Sequence, residues 1–180
     1  MKLKTLFATA VCTVLGAAII LPAQAADGTI TFNGSIAATT CAVTVNGIDA
    51  SATVNLPAAR LNDLLVIGNT AGATDFDIVL SKCAGLPVTG QGAAVHFESG
   101  SQVNADGRLN PTRDGSGVEL AIYPRDKGDP LMLGQAPIAA IGNIKGGAIT
   151  LPYTVKYRSN STAPTAGAVS SSVTYSIVYF

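Results

Sequence analysis

The sequence predicts an all-β sandwich preceded by a removable leader. Three observations carry this: apolar and polar residues alternate with a period of two through most of the chain, turn residues recur at short intervals, and only one short segment has a helical pattern. Successive side chains of a strand point to opposite faces, so this alternation marks strands with one buried face.

The first 25 residues read as an export signal. Lys2 and Lys4 form a basic start, an apolar stretch covers residues 6–21, Pro22 stops any helix, and Ala23-Gln24-Ala25 supplies the small-x-small cleavage pattern. A retained membrane helix would need about 20 apolar residues, and Thr9, Thr13 and Gly16 interrupt this stretch.

The strands follow in order. Ile30, Phe32, Gly34 and Ile36 alternate with Thr31, Asn33 and Ser35, and residues 42–45 and 53–56 are short β-prone runs. Phe76, Ile78 and Leu80 alternate up to Cys83; Val95 and Phe97 flank His96; Val118, Leu120 and Ile122 lead to Pro124. Ile149, Leu151, Tyr153, Val155 and Tyr157 make a long strand, and Val173, Tyr175, Ile177 and Tyr179 make the last. Turns are expected at Asn46-Gly47, Asp106-Gly107, Lys127-Gly128 and Gly146-Gly147, and residues 58–66, after Pro57, form one or two helical turns.

Removing residues 1–25 leaves 155 residues, enough for one domain. Nine basic groups then stand against eleven acidic ones, a net charge of −2, with no basic run to suit a nucleic acid. Two cysteines survive, Cys41 and Cys83, and an oxidising compartment makes a disulfide their default state. A metal site would need further ligands, and His96 is the only histidine. No cofactor or metal is expected.

No residue set suits catalysis. His96 sits between Val95 and Phe97 and points away from the apolar face; Asp75 and Asp77 share the wet face of a strand. Gly90-x-Gly92 precedes a strand rather than a helix, and the serines lack a matching His and acid arrangement.

Both ends of the mature chain are β-patterned; residues 28–39 carry no charge, and residues 170–180 contain no Lys, Arg, Asp, Glu or Pro. An uncharged apolar edge strand must be covered. Either both ends pair inside one closed sandwich, or another chain adds a strand to an open edge.

The sequence resembles the structural subunits of chaperone–usher pili, such as the major pilins of type 1 and P pili. The resemblance rests on an ordered set: a leader, then Thr31-Phe32-Asn33-Gly34-Ser35-Ile36, Cys41 just after it, Cys83 behind the Asp77-Ile78-Val79-Leu80 strand, Gly167 fourteenth from the end, and Tyr179 in the penultimate position. It implies an incomplete immunoglobulin-like sandwich lacking its seventh strand, with an N-terminal donor-strand extension.

The resemblance also implies the boundaries: signal peptide 1–25, donor extension 26–39, pilin domain 40–180. Ile30, Phe32, Gly34 and Ile36 would form the donor strand. Gly167, Val173, Tyr175, Ile177 and Tyr179 would belong to the acceptor groove and chaperone-binding edge. The partners implied are a periplasmic chaperone, an outer-membrane usher and neighbouring pilins, with no membrane span once the signal is gone. Two alternatives are a minor adaptor or adhesive subunit of the same fibre and a self-contained secreted β-sandwich binding module. An adhesin with an extra receptor-binding domain does not fit in 155 residues.

Overall fold

The computed structural model describes residues 40–84, 92–112, 117–125, 127–136, 142–143 and 146–179, all inside the unit Ala37–Phe180. The expected strand around Ile30, Phe32, Gly34 and Ile36 lies outside the described residues.

Among the described residues seven strands form two antiparallel sheets. The strands are β1 (Thr40–Val45), β2 (Thr70–Ala84), β3 (Gly92–Phe97), β4 (Val118–Pro124), β5 (Gly142–Asn143), β6 (Ile149–Ser159) and β7 (Tyr175–Tyr179). One sheet has the order β1-β2-β6-β4 and the other β5-β3-β7. The long β2–β6 ladder sets Ile78 opposite Leu151 and Phe76 opposite Tyr153, and β6 continues to β4 with Val155 opposite Ile122.

The period-two alternation decides which residues enter the core. Phe76, Ile78 and Leu80 on β2, Leu120 and Ile122 on β4, and Leu151, Tyr153 and Val155 on β6 are buried together with Val95 and Phe97 of the other sheet. Tyr153 is fully buried; it stacks on Phe76 at 5.5 Å between centroids. Each such side chain contributes roughly 1.5–3 kcal/mol on burial.

Within β2 the register slips between Ala71 and Thr74. Gly72 sits in that slip with φ +64°, and a Cβ there would stand 2.6 Å from the Tyr157 ring. A bulge of this kind needs both a left-handed backbone and a missing side chain.

Cys41 and Cys83 are joined, tying β1 to β2 across a sequence separation of 42 residues. The free edge of β4 is covered by a loop. Leu109 and Leu120 exchange both backbone hydrogen bonds at 2.9 Å, and the Leu131 N–H donates to the Ile122 carbonyl at 2.7 Å. Under this cover Glu119 is buried, accepting from Arg158 at 2.7 Å and from Asn104 at 3.0 Å.

Several elements differ from the sequence expectation. Residues 53–56 are not a strand: no ladder reaches them among the described residues. The helical pattern at 58–66 contracts to a single 3-10 turn, Leu61–Leu64. β2 begins at Thr70, earlier than its alternation shows, because the bulge at Gly72 breaks the pattern. β7 begins at Tyr175, so Val173 precedes it. β5 has only two residues and left no periodic signal.

Candidate functional site

The two sheets are not joined along one side. Among the described residues no ladder connects β1, the edge of the first sheet, to β7, the edge of the second. Between them lies a cleft of about 900 Å³. Residues 50–56 form one lip and residues 169–177 the other, and the floor is core: Phe76, Ile78, Leu120, Ile122, Val155 and Phe97.

The alternation of the last strand builds the second lip. Val173, Tyr175 and Ile177 are half-buried and turn into the cleft, whereas Thr174 and Ser176 are exposed. Among the described residues β7 pairs with β3 on one side only, Ile177 opposite Val95 and Tyr175 opposite Phe97. The segment ahead of β7 is held by the end of β3 and by the loop over β4: the Glu98 N–H donates to the Thr174 carbonyl at 2.9 Å, the Thr112 N–H to the Ser170 carbonyl at 2.8 Å, and the Ser171 hydroxyl to the Asn110 carbonyl at 2.7 Å. The Tyr175 hydroxyl donates to the Ala50 carbonyl on the other lip at 2.6 Å. Burial pushes the Tyr175 phenol above its ordinary range, with the Asp49 carboxylate adding to the shift.

Of the residues singled out in the sequence, Val173, Tyr175 and Ile177 line this cleft. Tyr179 lies further along β7, half-buried against the core and opposite Ala93. Gly167 sits at a bend ahead of the lip, where an added Cβ would meet nothing within 4 Å. Ile30, Phe32, Gly34 and Ile36 lie outside the described residues. Residues 50–56 are the part of the cleft that sequence reasoning missed. The β-prone composition of 53–56 is visible in the sequence, but the place of 50–56 opposite β7 depends on long-range packing.

The cleft is apolar on its floor, with backbone groups and small hydroxyls at its lips. It is suited to an extended segment that pairs with a strand edge and inserts alternate apolar side chains. Among the described residues that line it there is no charged side chain and no acid–base pair.

The polar clusters elsewhere are structural. His96 Nε2 lies 3.2 Å from Glu98 Oε2, and the Ser176 hydroxyl donates to the other Glu98 oxygen at 2.6 Å. A nucleophilic serine needs a histidine as its immediate base, and here the carboxylate stands between them. His96 is half-buried on the outer face of β3, less wet than its position in the alternation predicts, because Glu98 folds over it. Asp75 and Asp77 do share the wet face of β2. Arg125 reaches them at 3.4 and 2.8 Å, and Thr154 donates to Asp75 at 2.6 Å. A second pocket, of about 530 Å³, lies between Val95, Phe97 and residues 127–136.

The profile of the family described as fimbrial protein matches residues 30–179. The chain belongs to the fimbrial protein family. It is 35% identical over 173 residues to the F17 fimbrial protein of Escherichia coli, covering 92% of this chain and 94% of that protein. It is likewise 35% identical over 173 residues to the major fimbrial subunit SMF-1 of Stenotrophomonas maltophilia (strain K279a), covering 91% and 98%. The fold is similar to that of the P pilus rod subunit PapA, with a TM-score of 0.61 at 19% identity over 77% of this chain and 99% of that one. A subunit in the structure of a chaperone–usher pilus gives a TM-score of 0.60 at 19% identity, over 86% and 96%. The all-β architecture is therefore the immunoglobulin-like sandwich of pilins. As a fimbrial subunit the chain is a component of an extracellular fibre, exported through the periplasm. Among the described residues no helix is long and apolar enough to cross a membrane.

Proposed function

We propose that this fimbrial subunit polymerises by donor-strand exchange: the cleft between β1 and β7 accepts residues 26–39 of a neighbouring copy. The observation that carries this reading is the open apolar cleft flanked by an edge of β7 that no ladder reaches among the described residues. A strand laid there would complete the β5-β3-β7 sheet and cover the core side chains that form the floor.

The donor is the alternating segment with Ile30, Phe32, Gly34 and Ile36 on one face. Burying its three large side chains supplies about 5–9 kcal/mol at typical values. Ladder hydrogen bonds add about 1 kcal/mol net apiece, against the cost of ordering the segment. In this reading residues 1–25 are a cleaved leader and 40–180 the acceptor domain. Before assembly a periplasmic chaperone covers the same cleft with its own strand, and an outer-membrane usher exchanges it for the next subunit. No catalytic role is proposed. Similarity to a protein named a major fimbrial subunit supports a repeating shaft role over a minor one.

Deleting residues 26–39 tests the reading. The truncated chain should be captured by the chaperone and accumulate in the periplasm, yet should not extend fibres as the sole subunit. Normal fibres from the truncated chain would refute donor-strand exchange.

A further inference from the structure

The strand pairings define one end of the sandwich. β2 begins, β6 ends and β4 begins together there, with Thr70 facing Arg158 and Val118 facing Ser159. The Leu109–Leu120 bridge carries Asn110 and Thr112 along to the first residues of β4, and the Ser171 hydroxyl and the Ser170 carbonyl bond to them. The run into β7 therefore starts at this end, and β7 leads away from it. The other lip of the cleft stops here too, at Leu56. The Pro57 carbonyl oxygen lies 3.5 Å from where a Cβ on Gly72 would stand.

Residues 61–67 belong to the link between Pro57 and β2. Among the described residues seven large apolar side chains are exposed, and four of them are Leu61, Leu65, Val66 and Ile67. The other three, Ile48, Met132 and Val178, stand singly in the sequence. The loop is anchored rather than loose. Leu64 is buried, the Gly68 N–H donates to the Ser159 carbonyl at 2.9 Å, the Ser159 N–H donates to the Asn69 carbonyl at 2.9 Å, and the Asn69 side chain donates to the Asp63 carbonyl at 3.3 Å. A contiguous apolar patch held at the surface in this way marks a contact.

The length of the donor extension says what meets the patch. The β5-β3-β7 sheet is antiparallel throughout, so a strand added along β7 in the same sense runs towards this end and leaves the cleft there. Ile36 is the last residue of its apolar face, and β1 of the donating copy begins at Thr40. Those four steps of extended chain span about 13 Å. The domain that follows cannot stand off on a linker, and it abuts the end that exposes residues 61–67. What it presents is its own opposite end, where Thr40 faces Ala84 and the Cys83 N–H donates to the Gly147 carbonyl at 3.2 Å. Lys82 is exposed at that end, opposite in charge to Asp63, which is exposed and is the one charged residue of 61–67.

We propose that residues 61–67 are a docking face for a second copy of this chain, seating the domain whose extension fills the cleft. Leu65, Val66 and Ile67 pack against the end of that domain that carries Thr40, Lys82 and Ala84. The inference rests on the donor-strand reading and adds to it a contact between folded domains. The strand ties two copies together, and the loop fixes the angle between them.

The test replaces Val66 by a photo-crosslinking residue in the full-length chain, in cells lacking their own copy of the subunit. Surface fibres are irradiated and the covalent products mapped by mass spectrometry. The expected product joins two copies, from position 66 of one to a peptide holding residues 40–43 or 81–84 of the other. The same probe at Met132, apolar and 47% exposed but outside the loop, should not reach those peptides. A probe at Leu65 covers the case in which the Val66 chain fails to assemble. Fibres in which neither loop probe joins copies, or in which the links reach other parts of the second copy, overturn the docking face. So does a Met132 probe that reaches the same peptides. If fibres still require residues 26–39 in any of these cases, donor-strand exchange stands without the docking face. Fibres from a chain lacking residues 26–39 would remove donor-strand exchange, and this inference with it.

Discussion

Phe97 of the three-stranded sheet meets Tyr153 of the four-stranded sheet edge to face, with ring centroids 5.3 Å apart and planes at 83°. The pair joins the two layers of the sandwich beneath the cleft. Phe97→Ala should destabilise the subunit by about 3–5 kcal/mol, the usual cost of a large aromatic truncation. Urea unfolding followed by near-ultraviolet circular dichroism checks this, and a loss under 1 kcal/mol would show that the sheets are held together elsewhere.

The Tyr153 hydroxyl is buried and has no hydrogen-bond partner among the described residues. Burial pushes its phenol well above the ordinary range. The folded state thus holds this proton more tightly than the unfolded chain, whose tyrosines ionise near pH 10. Stability should be intact below about pH 10 and fall as the pH rises beyond it. Tyr153→Phe removes both the unpaired hydroxyl and the titration. It should be neutral or stabilising by up to about 1 kcal/mol at pH 7, with a smaller alkaline loss. Urea midpoints at pH 8 and pH 11 for both chains decide the matter.

Opening the Cys41–Cys83 bond should cost about 4 kcal/mol, from the chain entropy of a loop of this length. A Cys41→Ser, Cys83→Ser chain should show that loss in its unfolding free energy and should be degraded faster in the periplasm. Equal stability with and without the bond would mean that β1 and β2 are held by their ladder alone.

Gly107 has φ +69°, and a Cβ added there would stand 2.6 Å from both the Leu133 nitrogen and Met132 Cα. These are backbone atoms and cannot swing aside. Gly107→Ala should cost at least about 1–3 kcal/mol from strain and overpacking. The change should loosen the loop over β4, and faster amide exchange at Leu120 would report it. An unchanged exchange rate would show that the loop absorbs the methyl group.

The core was legible in the sequence because Phe76, Ile78 and Leu80, or Leu151, Tyr153 and Val155, announce their burial by position alone. The inward face of the last strand was legible for the same reason. Less could be read of what depends on distant partners. Glu119 falls at an outward position of the alternation, and its burial is explained only by Arg158, 39 residues away, and Asn104, 15 residues before it. Residues 53–56 look like a strand locally but have no ladder among the described residues. The crossing of the cleft by Tyr175 required knowing that Ala50, 125 residues earlier, stands on the facing lip. The alternation makes His96 wet, and only the side-chain geometry shows Glu98, two residues on, lying against it.

The loop that covers β4 has a bearing on how many neighbours a subunit can take. The Leu109–Leu120 and Leu131–Ile122 hydrogen bonds occupy backbone groups on the outer side of β4, which would otherwise be a template for a further chain. With that side occupied, β4 is closed to a further chain. Under the proposed donor-strand exchange each unit accepts one strand and donates one, a valence of two that lengthens a fibre in a line, and β4 offers no branch point.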